Sequence, residues 1–382
     1  MDWPRTPVER VQLFRPHFCP WSACSEHHRE SHGYRFRRHG FYDTRRRTVP
    51  RFICLTCRRT FSRQTFSTSY YLKRPELLLA TAAGLEAGGA LRQIARSLAC
   101  APSTPTRLAA RLGRHALLLH ARALAHLRGR LSEPVVLDHF ETFEFTQDCP
   151  FGVATAVGAR SWFVYGLDPA PHARAGRLTP RLVERLASRP RREWRGGYLG
   201  STRRTLAGLL PLAPEGKRLL LLGDGHPAYA RAAAGRPRVL LRSFPNPPRG
   251  PKGSPRSPAA RARDRAMFPV DLLHGLLRHS LAHHRRETIA FGRRLNALLE
   301  RLFLAAVWRN FVKKRSERRP APVSPAMQVG LTRELWTWRR VLSRRLFPAR
   351  ESLSVVQRVL YTRAWITTLL PRNLRHESIH AY

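Results

Sequence analysis

Acidic residues and lysine are both scarce in this 382-residue chain: 25 aspartates and glutamates stand against 69 basic residues, of which only five are lysine. The formal net charge is +44. A surplus of that size repels itself unless a polyanion neutralises it, and DNA or RNA is the usual counterpart. Codon bias in a GC-rich genome explains arginine in place of lysine but not the surplus. Arginine also suits such a partner, because its planar fork grips phosphate through two parallel hydrogen bonds. No run approaches the roughly 18 apolar residues needed to cross a bilayer, so no membrane-spanning helix is expected. The start, Met1-Asp2-Trp3-Pro4, lacks the basic-then-apolar pattern of a secretory leader. With only six cysteines, a disulfide scaffold is not expected either, and the cytoplasm is the expected location.

Four of the cysteines carry the clearest signal. Cys19 and Cys24 form one close pair, Cys54 and Cys57 another. Two short cysteine turns that converge supply the tetrahedral thiolate cage of structural Zn²⁺. Between them, Tyr34 to Phe52 alternates aromatic and basic residues, which predicts a hairpin ribbon with one apolar and one cationic face. Cys100 and Cys149 stand apart and read as buried small hydrophobes.

The sequence divides into four regions, an α+β multidomain architecture. Residues 1–68 are the zinc ribbon. Residues 72–130 predict three helices, over 76–87, 91–99 and 103–119, with a tight turn before the last, the helix-turn-helix arrangement. Residues 133–313 change character: strand runs at 134–137, 152–158, 162–166, 218–222 and 238–242 alternate with helices near 179–188 and after Pro227, giving a meander followed by β-α-β. A Pro-, Gly- and Arg-rich stretch at 244–267 reads as a basic loop, followed by helices over 271–286 and 288–312. Residues 314–382 predict a helical basic tail to which the sequence assigns no function.

Two acids directly follow apolar strand runs: Asp138 after Val135-Val136-Leu137, and Asp224 one glycine after Leu219–Leu222. Carboxylates fixed at neighbouring strand ends suit Mg²⁺, which takes hard oxygen ligands and bridges substrate phosphates. Two such ions activate the attacking oxygen and stabilise the leaving one at a phosphodiester. The plainer alternative is that each Asp caps a turn. Glu141 and Glu144 read as solvent-facing, His283-His284 as part of a DNA-facing helix, and Trp308 and Phe311 as core.

In this order, the stretches Cys54-Leu55-Thr56-Cys57-Arg58-Arg59-Thr60-Phe61-Ser62, Asp224-Gly225-His226-Pro227-Ala228-Tyr229 and Arg286-Glu287-Thr288-Ile289-Ala290-Phe291 resemble bacterial insertion-sequence transposases of the DDE type, in the group related to insertion element one. The resemblance covers about residues 15–315. It implies a ribonuclease-H-like catalytic domain over 133–313, with Asp138 and Asp224 as the first and second catalytic, magnesium-binding carboxylates. The group's third carboxylate is a glutamate about twenty residues before the Phe291 position; Asp271 stands there, with His274 one turn on and on the same helix face. Glu287 and Glu300 are the rivals for that role.

The resemblance further implies binding of terminal inverted repeats in double-stranded DNA, 3′-end cleavage and strand transfer with two Mg²⁺, and a homodimer or larger assembly on DNA in the bacterial nucleoid. Two other readings compete: a domesticated or decayed copy acting as a non-enzymatic DNA-binding regulator, for which the shortened third acid speaks, and a zinc-ribbon RNA-binding protein.

Overall fold

The computed structural model describes residues 14–29, 33–44, 48–174, 178–187, 194–248, 251 and 253–367. The molecule is mixed α+β, with a small antiparallel sheet near the N-terminus and a larger mixed sheet behind it. The small sheet has the order β1 (Phe36–Asp43), β2 (Thr48–Cys54), β3 (Thr60–Ser62). Its alternation buries Phe52 and Phe61, stacked at 5.7 Å, while β1 leaves Arg37 through Asp43 exposed. The hairpin forms as expected, but the two-faced division does not extend along β1, where Phe41 and Tyr42 are exposed together with the basic residues.

Three helices follow: α1 (Leu77–Glu86), α2 (Leu91–Ser97) and α3 (Ser103–His126). The predicted helices lie where expected, but α3 runs seven residues past Leu119, and the chain from Arg111 to Ala121 is wholly buried.

The larger sheet contains β4 (Val135–Phe143), β5 (Pro150–Gly158), β6 (Val164–Pro171), β7 (Leu219–Gly223) and β8 (Val239–Ser243), in the order β6-β5-β4-β7-β8. β4, β5 and β6 form an antiparallel meander; β7 and β8 join parallel to β4. Helix α4 (Pro180–Ala187) matches its prediction, whereas α5 (Gly197–Leu209) was not legible. α5 and α6 (Pro227–Ala233) cover one face, and α7 (Pro258–Ser280) lies across the other, against β4, β5 and β7. The assignment follows from β4 itself: consecutive residues point to opposite faces, and Asp138 lies beside α7 while His139 lies against α5 and α6.

The predicted basic loop is shorter than 244–267. α7 begins at Pro258, because the Ser257 hydroxyl accepts from the Ala260 N–H at 3.1 Å and Pro258 occupies the first turn, a cap that starts the helix despite the surrounding arginines. α7 ends at Ser280, and α8 (Leu295–Val307) passes into a π-helical turn, Trp308–Val312. α3 crosses α8 at Gly113, where a Cβ would lie 2.5 Å from the Glu300 Cβ.

The tail is less helical than expected. It consists of α9 (Pro325–Gln328), α10 (Trp338–Val341) and α11 (Val355–Tyr361) joined by irregular chain, because prolines at 320, 322, 325 and 348 interrupt it. The last helix ends at Tyr361, shortly before Arg363 turns to φ +60°; residues beyond 367 lie outside those described. One contiguous set of buried apolar side chains runs from Leu77 to Ile366, joining helices, sheet and tail; the ribbon has a separate set.

The tail also holds the ribbon. Phe347 packs edge-on against Phe18 at 5.3 Å and against Phe66 at 5.6 Å. The Arg345 N–H donates to the Phe66 carbonyl at 2.8 Å, and the Arg350 guanidinium lies 4.1 Å over the Phe18 ring while donating to the His27 carbonyl.

Candidate metal centres

The four predicted cysteines converge. Their sulfurs all lie within 4.8 Å of one another, with Cys19 to Cys57 at 3.7 Å and Cys24 to Cys54 at 3.8 Å. A tetrahedron with Zn–S bonds of about 2.3 Å has edges of about 3.8 Å, so the cage is compatible with structural zinc. Cys24 lies where the chain turns into a 3₁₀ helix, Ser25–His27; Cys54 closes β2, and Cys57 stands in the tight turn that follows. Burial raises the Cys54 thiol, but the N–H groups of Cys57 and Thr56 outweigh it and bring the group down to about 7; burial pushes Cys19 well up. His27 is turned away, with Nδ1 2.7 Å from the Cys19 carbonyl, so four thiolates form the cage without it.

The second centre is built from carboxylates. β4 and β7 pair in parallel through Leu137↔Gly223. The next residues are Asp138 and Asp224, so the two acids stand side by side where those strands part. Asp138 does not end its strand as predicted: β4 continues to Phe143 as partner of β5. Each carboxylate is fixed by a backbone N–H, Asp138 Oδ1 by His139 at 2.7 Å and Asp224 Oδ1 by His226 at 3.0 Å. For Asp224 this is the turn-capping role of the plainer alternative, made with one oxygen.

Asp271 approaches from α7. Burial, then Asp224, and more weakly Asp271 push the Asp138 carboxyl up to about 7, against the opposing effects of the His139 N–H and Arg263. Like charges this close disfavour joint ionisation. Asp271 is paired with the Arg263 guanidinium two helical turns back on α7. His274, the other residue predicted there, has Nδ1 3.8 Å from Asp138 Oδ2 and Nε2 2.7 Å from the Thr155 hydroxyl. Among the described residues, only the cysteines bring three or more ligand atoms all within 4.8 Å of each other; the three aspartates are neighbours in a looser arrangement.

The rivals for the third carboxylate lie elsewhere. Glu300 is buried between α3 and α8, with Oε1 3.1 Å from Arg114 Nη1. Glu287 is exposed in the irregular chain between α7 and α8.

Other expectations require correction. His283 and His284 are buried, and His284 Nδ1 lies 3.1 Å from the Thr142 hydroxyl; they are core rather than a basic surface. Glu144 is buried and accepts from the Thr367 hydroxyl at 2.9 Å. Glu141 remains exposed and accepts from Tyr198 and, at 3.1 Å, pairs with His172.

One residue missed in the sequence belongs to this centre. Tyr229, buried on α6, directs its hydroxyl to Asp138 Oδ1 at 3.4 Å and to His139 Nδ1 at 3.0 Å. The Asp224-to-Tyr229 spacing was the available signal, since it puts Tyr229 in the first turn of the helix that starts at Pro227. Among the described residues no helix is long and apolar enough to cross a membrane. In comparisons with known proteins, no family model, no curated protein and no solved structure matches this chain.

Proposed function

We propose that the chain is a DNA transposase of the DDE type, whose ribbon and helices bind element ends and whose carboxylates direct 3′-end cleavage and strand transfer. The carrying observation is the pairing of Asp138 and Asp224 where parallel β4 and β7 separate, with Asp271 near enough to raise Asp138. The strand order, an antiparallel meander whose first strand also pairs in parallel with β7, and β7 in turn with β8, is what a ribonuclease-H-like domain would have.

The acid cluster fits divalent cations. Its donors are hard carboxylate oxygens, and its mutual repulsion, seen at Asp138, would be relieved by a cation. Asp138, Asp224 and Asp271 would hold Mg²⁺, which when bound activates the attacking oxygen and neutralises charge on the leaving one. Arg263 would yield Asp271 to the metal. Zn²⁺ in the cysteine cage would hold β1 rigid, presenting Arg37, Arg38 and His39 to phosphates. The exposed residues at the start of α3, Ser103, Thr106 and Arg107, would reach base edges. Two ends must be held together, so a dimer or larger assembly on DNA is expected.

The test is Mg²⁺-dependent nicking of DNA carrying the sequences that flank this gene. Asp224→Asn and Asp138→Asn should each reduce nicking about 100-fold or more while DNA binding persists. Asp271→Asn should do the same, with Glu287→Gln and Glu300→Gln unaffected in metal dependence. Nicking that survives Asp224→Asn would overturn the reading. The Arg263–Asp271 pair favours one second reading, a DNA-binding regulator that does not cut; binding without nicking by the wild-type protein would establish it.

A further inference from the structure

A cavity of about 380 Å³ lies between α3 and the tail, outside the acid cluster and the ribbon. It is within the usual range of small-molecule sites, about 300–1,000 Å³. Three arginines line it: Arg122 from α3, Arg340 from α10 and Arg344 just beyond. Arg122 is clasped by Glu351, through Nε to Oε2 at 3.3 Å and a second, shorter bond from Nη2. Arg340 and Arg344 have no carboxylate partner among the described residues. Burial of part of its side chain, then Arg122 and Arg340 nearby, hold the Arg344 guanidinium below its ordinary range, against the opposing effect of Glu351; three cations share one nearby acid.

A second observation is independent of charge. His115 lines the same cavity, is only 2% exposed, and its Nε2 stands 2.9 Å from the Val341 carbonyl, which fixes the ring proton there. Its Nδ1 is a buried acceptor with no partner, and burial brings the ring down to about 4, so it stays neutral. An orphaned buried acceptor costs about 1–3 kcal/mol unless a donor meets it. The remaining wall is largely aliphatic apart from two rings: Trp336 is stacked on Phe311 at 4.6 Å, pinned by its Nε1–H to the Thr332 hydroxyl at 3.0 Å, and has the Arg340 guanidinium 5.8 Å from its ring centre.

The site therefore presents cations, one fixed acceptor and an indole ring in an apolar wall. We propose that it binds a nucleoside monophosphate unit, the phosphate on Arg340 and Arg344, a sugar hydroxyl or base amino group donating to His115 Nδ1, and the base against Trp336. A phosphate alone would leave His115 and the apolar wall unused. The unit can be a free nucleotide or an unpaired terminal nucleotide of a DNA strand, and the chemistry is the same.

The experiment is calorimetric titration of the full zinc-loaded chain with deoxyadenosine 5′-monophosphate, deoxyadenosine and inorganic phosphate. The monophosphate should bind at least tenfold more tightly than either fragment. Arg344→Ala and Arg340→Ala, both at exposed positions, should each weaken it about tenfold, whereas Arg231→Ala on α6 should not. A duplex with one unpaired terminal nucleotide that displaces the monophosphate better than a blunt duplex does, an advantage lost in Arg344→Ala, identifies the DNA-borne source; failure to displace identifies the free one. Absence of monophosphate binding, or binding weakened equally by Arg344→Ala and Arg231→Ala, overturns the proposal.

Discussion

The ribbon and the larger sheet solve the same problem by opposite means. The ribbon has three short strands, one of them almost wholly exposed, and a small aromatic cluster. So little apolar burial does not hold a sheet together, and the four thiolates must supply what the core does not. The five-stranded sheet sits inside a continuous apolar core from Leu77 to Ile366, with α7 on one face and α5 and α6 on the other. The contrast teaches that a buried core tolerates two neighbouring acids at a strand junction when a backbone N–H holds each of them. The ribbon, by contrast, carries its cations outside and keeps its interior for metal and aromatic rings.

The largest expected break in the comparison is metal removal. Structural zinc supplies about 10–16 kcal/mol in small domains, so chelation or Cys54→Ser should unfold the ribbon alone. Limited proteolysis should then cut before residue 68 and leave the remainder protected; cleavage throughout would mean that the two regions do not fold independently. Next is Phe140→Ala, at a fully buried position on β4. It should cost about 3–5 kcal/mol in urea unfolding followed by far-ultraviolet circular dichroism, with zinc content unchanged.

Phe347→Ala sharpens the comparison by uncoupling the regions, because that ring lies between ribbon and tail. A loss of about 2 kcal/mol is expected, together with faster amide exchange in the ribbon and intact zinc binding. The smallest effect belongs to Glu86, which is buried on α1 with both oxygens unpartnered, and which burial pushes up to about 8 from its ordinary 4.5. A carboxyl raised on folding stabilises below its unfolded value, and that contribution is lost as pH rises towards 8. The melting temperature should therefore fall between pH 5 and pH 8.5, and Glu86→Gln should flatten that fall. An unchanged slope would assign the pH dependence to other groups.

The cage and most strands were legible because their signals are local: cysteine spacing, apolar runs, and residues such as Gly223 and Pro227 that punctuate them. All five strands of the larger sheet were anticipated, most of them with displaced ends. Asp138 was placed at the end of a strand because the apolar run stops there, but β4 is extended by its pairing with β5, which no local pattern encodes. α5 was missed because Gly197, Gly200 and Gly208 weaken its helical signal, while its burial against β5 and β6 outweighs the propensity. His283 and His284 were misread because charge in the sequence does not reveal which side chains the fold turns inward. The tail was least legible: its contacts, Phe347 with Phe18 or Arg122 with Glu351, join residues hundreds of positions apart.

That last property governs how the protein is made. The ribbon closes within the first seventy residues and can take up metal while the rest is still being synthesised. α3 cannot be fully covered until α8, α10 and α11 have left the ribosome, since these pack against it. At about 5–20 residues per second, that delay lasts roughly 10–50 s. Throughout it a long apolar helix stays exposed beside a finished basic ribbon, so nascent chains of this protein should depend on chaperones more than its final packing suggests.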